Sequence, residues 1–148
     1  MAIVSFYIVT IEFAGVVNLS EPHRYRLPVN CDIRLVESLT PSQRQFTVHG
    51  HGRPANIPLE HPRKTWTEPL TAEENDHLIN LLEQMRVAYA LPEGVGMDGS
   101  WNTLTIMSGK HNMSFQWWAY VPEGWESVSA VFDYVLALAE RTYLTSAK

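Results

Sequence analysis

The sequence predicts one α+β domain over residues 1–148, a mostly antiparallel sheet with two helices packed on one face. Three observations predict it. Two segments repeat apolar residues at helical spacing. A β-hairpin is written into residues 101–120, with residues 109–112 as its connection and 113–120 as its return strand. The first residues form a nearly continuous run of valine, isoleucine, phenylalanine and tyrosine, the pattern of a buried strand. The 148-residue length suits a single domain, and 45% hydrophobic residues supply a core without a disulfide or a structural metal.

In chain order, residues 2–13 are the first strand candidate, and Gly15 with residues 18–22 marks a turn. A short strand is expected at 24–27, before Pro28, and a better one at 31–36. Residues 38–42 are a turn, and 44–48 carry moderate strand preference. Residues 49–70 read as irregular, because Pro54, Pro58, Pro62 and Pro69 with Gly50 and Gly52 discourage a regular element. The first helix starts at a capping box, with Thr71 as cap and Glu74 three residues on. Leu78, Leu81, Leu82, Met85 and Ala88 form its apolar stripe, and Pro92 and Gly94 stop it. Residues 95–99 turn into the hairpin. On its return strand Met113, Phe115, Trp117 and Ala119 form the core face, leaving Trp118 and Tyr120 on the other. A last helix places Trp125, Val128, Phe132, Val135, Ala139 and Tyr143 on one stripe, widened by Leu136 and Leu138, and ends near Tyr143.

The net charge of −5 argues against a general affinity for nucleic acid or anionic membrane. The charge is uneven. Residues 23–64 hold seven basic against three acidic side chains, and residues 65–148 hold four against eleven. Arg24, Arg26, Arg34, Arg44, Arg53, Arg63 and Lys64 interleave with Tyr25, Phe46 and Trp66, too sparsely for a single-strand binder. The apolar N-terminal run carries Ser5, Thr10 and Glu12 and no positive stretch. It reads as a strand and not as a leader or a spanning helix, so a cytoplasmic location is expected.

Catalytic motifs do not emerge. Cys31 is the single cysteine, in phase with Ile33 and Leu35, so an inert buried thiol is its plain reading. Gly94 and Gly96 follow a helix and lack the rest of a dinucleotide fingerprint, and there is no GxSxG elbow. Asp98 sits in a turn, Glu73, Glu74 and Asp76 suit a helix start, and Asp133 and Glu140 suit a helix face. His49 and His51 alternate on one stretch and His61 follows ten residues later. A metal, a small ligand or a small enzyme site there is the alternative reading, set against ordinary surface histidines. No cofactor is implied. The odd features fit protein binding better. Trp66, Trp101, Trp118 and Tyr120 fall outside the cleanest core pattern, and aromatics dominate binding hot spots.

Asp98-Gly99, Trp101, Leu104, Phe115, Trp117-Trp118, Pro122, Gly124-Trp125 and Phe132 form a series that resembles small bacterial α+β proteins of the toxin-immunity type. The similarity covers about the last third of the chain with the preceding helix, and its positions are architectural. It implies a non-catalytic protein that binds and neutralises a cognate toxin or effector domain. Glu73, Glu74, Asp76 and Glu83 would then face a basic cleft of the toxin, with Trp118 and Tyr120 as contact residues.

Overall fold

From Tyr7 on, the apolar N-terminal run is paired on both sides. The computed structural model describes residues 7–18, 26–38, 45–54, 57–58, 60–88, 100–118 and 120–146. The strands are β1 (Tyr7–Asn18), β2 (Arg26–Ser38), β3 (Gln45–Gly52), β4 (Lys64–Pro69), β5 (Ser100–Ser108) and β6 (His111–Trp118). Helix α1 (Ala72–Glu83) lies between β4 and β5, and α2 (Glu126–Thr145) follows β6. All pairs are antiparallel, in the order β4-β3-β2-β1-β5-β6. The first four strands meander to one edge. The chain then returns through α1 to lay β5 beside β1, so β1 is central and its Val9 and Ile11 are buried.

Period-two alternation assigns the faces. Val9, Ile11, Ile33, Leu35, Phe46, Val48, Leu104, Ile106 and Trp117 point to the helices and are buried. Both helices cover this inner face. Val128, Val131, Phe132, Val135, Leu138, Ala139 and Tyr143 of α2 fill the space above it, with Leu78 of α1 alongside. Trp117 meets Phe132 edge to face, with ring centroids 5.2 Å apart. The α+β expectation therefore holds, with every strand pair antiparallel.

Several sequence-based boundaries are corrected. β1 is described from Tyr7 and runs through Gly15 to Asn18, where a turn was expected at Gly15; residues 2–6 of the expected strand lie outside the described residues. The two short strands expected around Pro28 are one strand, β2. Pro28 pairs only with Val16 of β1, because β3 first meets β2 at Cys31, so its missing N–H costs no ladder bond on the open side. The segment expected to be irregular from 49 to 70 contains the second half of β3 and all of β4. Helix α1 stops at Glu83, so Met85 and Ala88 lie beyond it. The expected turns at 18–22, 38–42 and 95–99 fall largely or wholly outside the described residues, as do Pro92, Gly94, Asp98 and Ala119.

The glycines of β3 have a packing reason. Gly50 and Gly52 alternate onto the inner face, where Gly50 is paired with Trp66 of β4. The Trp66 indole lies over the bare backbone, and a Cβ at Gly50 would overlap its ring carbons. Trp66 is buried. It stands edge-on to Tyr143 at 5.1 Å and donates its Nε1–H to Thr142 Oγ1 at 3.0 Å. Lys64 caps the same cluster, donating to the Tyr143 carbonyl and sitting over its ring. Trp66 is thus core, as is Phe46, which removes both from any basic-aromatic surface.

Candidate protein-binding surface

Among the described residues the outer face of the sheet carries no helix. Two cross-strand rows traverse its middle: Thr65, His51, Asp32, Glu12, Thr103 and Gln116, then Thr67, His49, Arg34, Thr10, Thr105 and Ser114. All are polar and exposed or half-exposed. At the β5–β6 end this surface becomes aromatic. The two-residue connection Gly109-Lys110 sets the hairpin register and puts Trp101 opposite Trp118. Their rings meet edge to face at 5.1 Å and 75°. Trp101 is 40% exposed, and Tyr120, just past the strand, is 89% exposed. The Trp118 Nε1–H is buried without an acceptor. Leaving such a donor unmet costs about 1–3 kcal/mol.

The acidic helix is a separate surface on the other side of the sheet. Glu74 is occupied within the fold. Its carboxylate accepts two hydrogen bonds from Arg141 at 2.7 Å each and one from the Thr71 backbone N–H, while Thr71 Oγ1 caps the Glu74 N–H. Burial pushes the Tyr134 hydroxyl above its ordinary value beside this pair, and the Glu74 charge adds to the rise. Glu73, Asp76 and Glu83 remain exposed. Asp76 and Glu83 flank a shallow cleft with Ile79 and Asn80. The six residues singled out as partner contacts therefore divide: Trp118 and Tyr120 belong to the aromatic corner, Glu73, Asp76 and Glu83 to the acidic helix, and Glu74 to the α1–α2 clamp. No single flat partner spans both surfaces.

The histidines divide as well. His49 and His51 share the outer face, and each Nδ1 is hydrogen-bonded to a β4 threonine, Thr67 at 3.2 Å and Thr65 at 2.9 Å. His61 lies in the β3–β4 connection against the ring of buried Tyr143, on the helix side of the sheet. Among the described residues no three His, Cys, Asp or Glu side chains are placed to hold a metal ion. A separate, mainly apolar groove of about 390 Å³ is lined by Leu82, Met85, Ile106, Met113 and His111.

The sequence signals Trp118 through alternation, but Trp101 stands opposite it only because the turn is the two residues Gly109-Lys110, where a four-residue connection at 109–112 and a return strand at 113–120 were expected. The threonines that hold His49 and His51 are not foreseeable, because β4 itself is not. Among the described residues no helix is long and apolar enough to cross a membrane. Comparison with known proteins finds no matching family model, no matching curated protein and no matching solved structure.

Proposed function

We propose that this chain is a non-catalytic protein-binding module that neutralises a bacterial toxin or effector domain, and that it docks through the aromatic corner of its outer sheet face. The observation that carries the reading is exposed Trp101 and Tyr120 beside half-buried Trp118, on a sheet face that bears no helix among the described residues. Large aromatics lose little side-chain entropy on binding and dominate interface energetics. The toxin-directed part rests on the resemblance of residues 98–132 to immunity proteins. The exposed Glu73, Asp76 and Glu83 supply an acidic field that speeds the approach of a basic partner.

The test is affinity capture from the native host with tagged protein, followed by titration of the captured partner. A single stoichiometric toxin-like protein is expected. Trp118→Ala should then weaken its binding by about thirtyfold, the size of a 2 kcal/mol hot spot. Tyr120→Ala, at a site too exposed to affect folding, guards against reading a folding defect as lost affinity. Unchanged affinity in both variants would place the contact elsewhere and sink the corner.

A further inference from the structure

We propose that β6 is a self-pairing edge: two copies of the chain join β6 to β6 antiparallel about a two-fold axis through Phe115, making one continuous sheet across the pair. The two edges of the sheet are unlike. β4 carries Lys64, Glu68 and Pro69, charges and a proline of the kind that guards an edge against pairing. β6, with the sequence HNMSFQWW, has no acid, lysine, arginine, proline or glycine. Of its residues only Trp117 is buried. Of the six exposed large apolar side chains among the described residues, four, Trp101, Met107, Met113 and Tyr120, lie on β5, on β6 or just beyond, and the other two are Val87 and Leu144.

The hairpin fixes which backbone groups are available. A two-residue turn makes Ser108 and His111 the hydrogen-bonded closing pair. Alternation then turns His111, Met113, Phe115 and Trp117 toward β5, and turns the N–H and C=O of Asn112, Ser114, Gln116 and Trp118 outward. Symmetric antiparallel pairing keeps the two outer faces together only when the axis passes through a residue. With the axis at Phe115, Asn112 pairs with Trp118 of the second copy and Ser114 with its Gln116; the Trp118 carbonyl, which already accepts the Tyr120 N–H, would take this bond on its second lone pair. With the axis at Ser114, Trp118 is left out. The Phe115 register also brings Met113, at the mouth of the apolar groove, against Trp117 of the second copy on the inner face.

A second copy fits this edge because the strand is uncharged. Self-pairing brings no like charges together, and the strand holds no charge with which to select a different partner.

Sedimentation equilibrium across a concentration series tests the pairing, with an expected mass of twice the 16.9 kDa chain. Ser114→Lys with Gln116→Lys sets ammonium groups opposite one another on the exposed face and should weaken dimerisation by about tenfold or more. Its far-ultraviolet circular dichroism should stay unchanged. Hydrogen exchange on the unaltered protein supplies a readout independent of any variant. The amides of Asn112, Ser114, Gln116 and Trp118 should slow as concentration rises, while those of β4 do not. A chain that stays monomeric, a dimer that survives both lysines, or a dimer without those four protected amides would overturn the proposal. None of these outcomes depends on the toxin-binding reading.

Discussion

Gly50 shows what a missing side chain does here. The Trp66 ring occupies the space where a Cβ would stand, so Gly50→Ala forces the indole off Thr142 and away from Tyr143. Overpacking of this kind costs about 1–3 kcal/mol, and urea denaturation should show it as a lower midpoint with an unchanged slope. The same change at Gly109, where a Cβ meets open space, tests only its positive φ of 58° and should cost less. Glu126 illustrates a polar contribution. Helix α2 has no side-chain cap, and Glu126 in its first turn accepts the Gly124 N–H. Hydrogen bonds from its own N–H and from Gly124 hold its carboxyl below the ordinary 4.5. Because the folded value is the lower one, this contribution is present above the unfolded value and fades as pH falls through the folded one. Glu126→Gln should therefore narrow its stability gap to the parent protein as the pH of a melting series drops below 4.5.

At the scale of elements, the end of α1 is set by tertiary partners and not by its own residues. The apolar stripe continues through Met85, yet the chain leaves the helix after Glu83. The backbone beyond finds its partners on the approach to α2. Ser127 Oγ accepts from the Arg86 N–H at 2.8 Å and donates to the Arg86 carbonyl at 2.7 Å. The Ala88 N–H reaches the Gly124 carbonyl, and Trp125 Nε1–H donates to the Ala88 carbonyl at 2.7 Å. Ser127→Ala removes both bonds to Arg86. Faster amide exchange confined to residues 85–88 is the expected outcome, and global loss of protection would contradict it. The same contest explains what was legible. Capping box, hairpin and α2 are encoded in neighbouring residues, so the sequence alone places them, though the hairpin turn is two residues long and not the expected four. β4 and the far half of β3 are stabilised by pairing with each other and by Trp66 filling the glycine gap. Those contacts are remote in sequence, and local proline and glycine content misreports them.

For the whole molecule, both helices lie on one side of the sheet, and the described residues place no helix on the other. Alternation along β6 separates its adjacent tryptophans: Trp117 enters the core and Trp118 leaves it. That half of the candidate surface was readable from period-two spacing. The split between the aromatic corner and the acidic helix was not, because it depends on which side of the sheet α1 occupies. The Glu74–Arg141 pair was equally hidden, since its partners lie 67 residues apart. It joins α1 to α2, and Glu74→Ala should cost about 1 kcal/mol in a melting experiment, given the partial exposure of Arg141. Should the open face and the β6 edge both be occupied as proposed, the two aromatic corners would lie on the same side of the paired sheet and offer two docking points at once. The corner also has a spectroscopic consequence. Two indoles crossed at 75° with centroids 5.1 Å apart couple their electronic transitions. The coupling splits the shared absorption band into components of opposite circular dichroism. A ligand that parts the rings would collapse that couplet, so the native chain reports its own occupancy without an attached dye.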